Sequence, residues 1–271
     1  MQFADPRTDF VFVRVFGNEN AKEVLISFLN AVLDLEGTRA IDTVVILNPY
    51  QAPKIAALRY SIVDVKCRDH RGVEFVVEMQ VQYTEGFEKR AQYNACKAYV
   101  DQLSTGEDYP RLNQVIAISI LDFTLFKDFE HCLSRHEIRE TRTNNHYLSE
   151  IIHYFIELPK FKLAAEQLNT AIEKWCYFIK HTGRLDIIPA TLDAEPFRKA
   201  FALASRANMT KEEWEYFDAA SMKIQDQRGM VTAARKETKQ EIARAMLQKG
   251  LDQTLISEVT GLSRQEIDVL D

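Results

Sequence analysis

Residues 60–83, YSIVDVKCRDHRGVEFVVEMQVQY, constrain the fold more than any other stretch of the chain. Two runs rich in β-formers, 61–67 and 73–81, flank Arg68-Asp69-His70-Arg71-Gly72, a polar turn ending in glycine. Side chains on a strand alternate between its faces. In the second run Phe75, Val77, Met79 and Val81 share one face, so Glu78 and Gln80 share the other. A hairpin closed by a loop at 70–72 sets Asp64 directly opposite Glu78. Paired residues on one face have Cβ atoms about 5 Å apart. Two carboxylates that close repel unless a proton or a cation lies between them. Their oxygens, with the main-chain carbonyl after Glu78, suit a hard divalent ion such as Mg²⁺. Charged residues on strand faces are common, however, and spacing alone favours two acids that simply face water.

The order of elements around the hairpin narrows the fold class. Residues 9–34 carry apolar positions at helical spacing, broken into two helices by Gly17-Asn18-Glu19-Asn20, where Asn18 or Asn20 can cap the second. Asp9 precedes the first, where a carboxylate can accept from free backbone N–H groups. Residues 41–47 read as a strand, 51–57 as a connector containing Pro53, and the hairpin adds two further strands. A helix over 85–104 follows, with Phe87, Ala91, Ala95, Ala98, Tyr99 and Leu103 on its apolar face and Arg90, Tyr93 and Lys97 on the surface. The run VIAISIL at 115–121 has the continuous apolar character of a strand covered on both sides. Residues 122–148 give no clear pattern, and His131, Cys132 and His136 fit no strong zinc spacing. A strand is expected over 148–157, ended by Pro159.

From Phe161 the chain turns helical. Leu168, Ile172, Trp175, Phe178 and Ile179 define one apolar face, and helices are expected over 195–208, 211–225 and 228–249. The last of these is polar and locally basic. Over 223–249, seven Lys and Arg against three Asp and Glu give +4, whereas the whole chain, with 34 basic and 40 acidic residues, stands at −6. A solvated face with i,i+4 charge pairs, a phosphate-facing surface and a self-association helix all fit that balance. Residues 250–271 outline a helix-turn-helix about Thr260-Gly261-Leu262, with Leu255, Ile256, Val259, Leu262, Ile267 and Leu270 as its small core. Its second helix carries Arg264, Gln265, Glu266 and Asp268, which is poor in cations for reading a major groove.

An Asp on one strand followed by Glu-x-Gln ending the next resembles the PD-(D/E)xK nuclease core. The chain more closely resembles the Rpn family of recombination-promoting nucleases, also described as transposases. The resemblance begins at Thr8-Asp9-Phe10-Val11-Phe12-Val13-Arg14-Val15-Phe16-Gly17 and runs through the hairpin. It returns at Arg90-Ala91-Gln92-Tyr93, Gly106-Glu107-Asp108-Tyr109, Glu157-Leu158-Pro159-Lys160-Phe161 and Thr260-Gly261-Leu262-Ser263. It implies an αβββαβ core, a mixed central sheet flanked by helices, and this agrees with the element order. The expected divisions are a nuclease-like core over 1–160, an all-α extension over 161–249 and a helix-turn-helix-like tail over 250–271.

The resemblance further implies a metal-dependent DNA endonuclease, with Asp64 and Glu78 holding Mg²⁺ or Mn²⁺. Asp9 is the N-terminal acid that reaches the metal in such proteins, and Arg90 and Tyr93 contact the scissile phosphate. Gln80 stands where the common pattern has Lys; an amide orients water but is no general base near neutral pH. Lys66, on the same strand face as Asp64, is a nearby cation. DNA is the implied partner, and the C-terminal helices offer a route to a homo-oligomer. No segment is long and apolar enough to suggest a membrane span. The N-terminus lacks a secretory pattern. Cys67, Cys96, Cys132 and Cys176 form no CxxC pair, so reduced thiols in the cytoplasm are expected.

Overall fold

The computed structural model describes residues 3–51, 61–104 and 106–270. They divide into two compact units, 1–220 and 221–271. The first unit opens with helices α1 (Asp9–Phe16) and α2 (Lys22–Leu33). Asn18 caps the short turn between them, its side chain accepting from the Asn20 N–H, rather than α2 itself.

Strands β1 (Val44–Leu47), β4 (Val65–Asp69) and β5 (Glu74–Gln80) follow, with a separate small ladder of β2 (Tyr50–Gln51) and β3 (Ser61–Ile62). The expected strand over 61–67 is therefore split, with a bend at Asp64 between its parts. Most of the expected 51–57 connector lies outside the described residues. Helix α3 (Phe87–Val100) leads to β6 (Val115–Leu121), and β7 (Leu133–Ile138) and β8 (Leu148–Glu157) complete a sheet ordered β1-β4-β5-β6-β8-β7. The sheet is mixed. β5–β6 and β6–β8 are parallel, the remaining pairs antiparallel.

The hairpin register has a local cause. Asp69 is buried, and its Oδ1 accepts from the N–H groups of Arg71 and Val73 at 2.9 and 3.1 Å. The Arg71 guanidinium closes on Oδ2 at 2.6 Å. Gly72 has φ +89°, and a Cβ there would stand 2.6 Å from the Asn113 side chain, so glycine is needed on both counts. Residues 70–72 thus form the loop, Asp69 bonds Val73 through its N–H at 3.0 Å, and Val65 pairs with Val77. One step further along that register, Asp64 faces Glu78.

Both sides of the sheet are covered. Phe75, Val77, Met79, Ile116, Ile118, Ile120, Ile152 and Ile156 meet α1, α2, α4 (Ala171–His181) and α5 (Phe197–Ala204) in the main core. Trp175 is fully buried there between Phe16, Phe28 and Phe197, and its Nε1 donates to Ser27 Oγ at 3.2 Å. On the opposite side, Val76, Val115 and Ala117 pack against Ala95 and Ala98 of α3. All of β6 is buried, which is why its sequence does not alternate. β7, in the stretch without a clear pattern, is a polar edge strand bulged between His136 and Ile138. Its Glu137 is flanked by Arg135 and Arg139, charges of the kind that protect exposed edges.

Where two helices were expected over 211–225 and 228–249, a single helix α6 runs from Lys211 to Gln248. The backbone at 226 and 227, where the break was expected, is helical, and Gly229 just beyond has no neighbour that a Cβ would strike. In the second unit, α7 (Gln253–Thr260) is capped by Asp252 and ends at Gly261 in the left-handed region, φ +66°. Ser263 and Glu266 form a capping box on α8 (Arg264–Asp268). The core of this unit is Ala243, Ile256, Leu262 and Ile267, with Met246, Leu247 and Leu270 against it. Leu255 and Val259, expected inside, are 43% and 61% exposed, because the inner face is set by packing on the end of α6.

Candidate active site

Asp64 and Glu78 stand on the α3 side of the sheet and line a cavity of about 730 Å³. Asp9, Gln80, Lys89, Arg90, Tyr93 and Asn94 line it with them. Each side chain is placed by a local feature. Asp64 sits at the bend before β4, and its Oδ2 accepts from the Met79 N–H at 2.7 Å. Asp9 is free to reach the rim because Thr8, not Asp9, is the N-cap of α1. Arg7 fixes that end of the chain by bonding Asp5 and Asp122 together, and Asp122 in turn donates its N–H to the Gln80 carbonyl at 2.9 Å.

The electrostatics follow from crowding acids in a half-buried place. Burial pushes Asp64 up from the ordinary 3.8 to about 7; repulsion from Asp9 and Glu78 adds to this, while the Met79 N–H and Arg90 oppose it. Burial also raises Glu78, against the charge of Arg90 and a hydrogen bond from Asn94. Gln80 is held at both ends of its amide. Its Nε2 donates to the Gln82 carbonyl at 2.7 Å, and its Oε1 accepts from Arg90 Nη2 at 2.5 Å.

Two expected positions differ. Lys66 shares the face of Asp64, yet its Nζ lies 3.1 Å from buried Glu74, outside the cavity lining. Lys66 is flanked diagonally by Glu74 and Glu78, and the pairing with Glu74, also bonded by Arg68 at 2.5 Å, prevails. Lys97, expected on the surface beside Arg90, is buried. Asn94 was not anticipated as a site residue. Its signal was an amide at a helical position shared with Ala91, Ala95 and Ala98, all of them buried.

The donor set fits a hard cation rather than a soft one: the carboxylates of Asp64 and Glu78 lead it, with no thiol or imidazole among the lining residues. Burial raises both acids, and among the described residues Asn94 Oδ1 is buried without a hydrogen-bond partner. Among the described residues no group of three or more His, Cys, Asp or Glu is gathered tightly enough to hold an ion unaided. An ion held by Asp64 and Glu78 would therefore need further oxygen ligands. His131 and His136 serve packing instead, stacked on Phe129 and Phe126 at 4.2 and 4.7 Å.

A family model described as PD-(D/E)XK nuclease family transposase matches residues 6–234. The chain belongs to that family. A second model, the C-terminal HTH domain of the Rpn/YhgA-like nuclease family, matches residues 236–271. No curated protein and no solved structure matches the chain. In this member of the PD-(D/E)XK nuclease family Asp64 lies at the bend before β4 and Glu78 on β5, and the residues that match the helix-turn-helix model are 236–271. No helix among the described residues is long and apolar enough to cross a membrane.

Proposed function

We propose that the protein is a metal-dependent DNA endonuclease that hydrolyses phosphodiester bonds, acting in DNA recombination and mobility or in defence against foreign DNA. The supporting observation is the cavity itself, with Asp64 and Glu78 on the sheet and Lys89 and Arg90 on α3. Such a site offers acids to a cation and cations to a phosphate across one space. Asp64 and Glu78 would hold Mg²⁺, for which Mn²⁺ would substitute, and the ion when bound would supply Lewis-acid stabilisation of charge on the phosphodiester oxygens.

The remaining roles fall to the chain. Arg90, exposed and planar, pairs with two phosphate oxygens, and Tyr93 one turn on hydrogen-bonds the same strand. Gln80, its amide fixed between Gln82 and Arg90, orients Arg90 and the groups beside it without accepting a proton. Asp9 adds negative charge at the rim, and Lys66, held by Glu74, contributes a fixed positive charge rather than a base. The C-terminal unit adds a DNA contact, and its helices join copies of the chain into a homo-oligomer.

Plasmid cleavage in Mg²⁺ by the wild type, Asp64→Ala and Gln80→Ala tests the reading. Cleavage that needs the metal and is lost in Asp64→Ala supports it; equal cleavage by wild type and Asp64→Ala sinks it. A second reading, a nuclease-fold protein that binds nucleic acid or protein without cutting, is favoured by one observation: Gln80 and Lys66 are both committed to other partners. Absence of Mn²⁺ binding in calorimetry would favour it; a stable oligomer that depends on residues 228–271 fits both readings.

A further inference from the structure

We propose that Asn94 is the positioning residue of this site, fixing Glu78 through Nδ2 and reserving Oδ1 for a hydrogen-bond donor that arrives with the ligand. The inference rests on the nuclease reading above and deepens it. Asn94 lies inside α3, 3% exposed, and its Nδ2 donates to Glu78 Oε1 at 2.5 Å. With Oε1 engaged by Asn94, an ion would be met by Oε2. The other end of the same amide, Oδ1, is buried with no hydrogen-bond partner among the described residues.

An arrangement of this kind is a poor choice for stability. Asn is a weak helix former, and a buried acceptor without a donor costs about 1–3 kcal/mol. The neighbouring buried positions Ala91, Ala95 and Ala98 show what packing alone selects at this face. An amide carries both a donor and an acceptor, so one side chain can hold the carboxylate and also receive a polar ligand group. The orphaned oxygen belongs to a residue that lines the cavity, where such a ligand would enter.

Mn²⁺ calorimetry on the full-length protein, together with melting in EDTA, tests the assignment in Asn94→Leu, Asn94→Asp and Asp64→Ala. Asn94→Leu keeps the shape and removes both polar ends. It is expected to melt no lower than wild type without metal and to bind Mn²⁺ about 10–100-fold more weakly, as other supporting residues of metal ligands do. Asn94→Asp loses the donor and sets a carboxylate against Glu78, so it too is expected to weaken binding. Wild-type affinity in Asn94→Leu overturns the proposal. Tighter binding in Asn94→Asp also overturns it, and makes Oδ1 an ion ligand. No Mn²⁺ binding by wild type, or equal binding by Asp64→Ala, instead removes the nuclease reading on which the proposal stands.

Discussion

Without metal, the charge on Asp64 works against the fold, and the size of that effect can be predicted. Its carboxyl is raised from 3.8 to about 7, chiefly by burial. The folded chain therefore holds this proton more tightly than the unfolded chain. The associated stability is complete below about pH 4 and is lost as pH rises through about 7. Between pH 5 and pH 8 the loss is about 2.5 kcal/mol, at about 1.4 kcal/mol for each unit of the difference realised in that window. At roughly 2–4 °C per kcal/mol for a unit of this size, melting should fall by about 5–10 °C.

Asp64→Asn cannot ionise but keeps an oxygen to accept the Met79 N–H. Melting of both proteins in EDTA across pH 5–8 isolates the effect, because every other titrating group is shared. The variant's advantage should be smallest at pH 5 and widen by about 5–10 °C at pH 8. Adding Mg²⁺ at pH 8 should raise the wild type and leave the variant nearly unmoved. Parallel melting curves, or a variant less stable than wild type at pH 8, would refute the argument that uncompensated charge is stored at this position.

Other perturbations have definite directions. Lys160→Met strips the partner, at 2.6 Å, from fully buried Glu157, which also accepts from the Leu125 and Phe126 N–H groups; urea unfolding should show a loss of about 3–5 kcal/mol. Trp175→Ala opens a cavity among Phe16, Phe28 and Phe197 and should cost about 3–5 kcal/mol by the same measurement. Arg90→Ala removes an exposed cation that bonds Gln80, so cleavage should fall about 100-fold while the melting temperature holds. A matching loss of stability would make Arg90 structural instead.

The acids could be read from sequence because a strand repeats every two residues and a short loop fixes its register. Asp64 opposite Glu78 needs no more information than that. β6 was equally plain, since seven apolar residues in a row demand cover on both faces. What sequence could not show was choice among competing partners. Lys66 lies diagonally from two acids, and three-dimensional packing decided for Glu74. β7 escaped notice because an edge strand carrying Arg135, Glu137 and Arg139 has little apolar alternation to display. Leu255 and Val259 looked like core because their helix was read without the end of α6, against which its other face packs.

The loop at 70–72 has a consequence for how this site can change over evolutionary time. Substitutions around it alter strength by degrees, but insertion or deletion of one residue between Asp69 and Val73 acts all at once. A single-residue slip turns every side chain of one strand to the opposite face. Asp64 would then point into the layer of Phe75 and Val77, and a strand residue from the main core would turn toward α3. A slip by two residues preserves the faces but sets Asp64 beside Val76 or Gln80 rather than Glu78. Length, together with Gly72, is therefore the heritable property of this turn, and lineages that retain the paired acids should vary residues 70 and 71 while keeping the number.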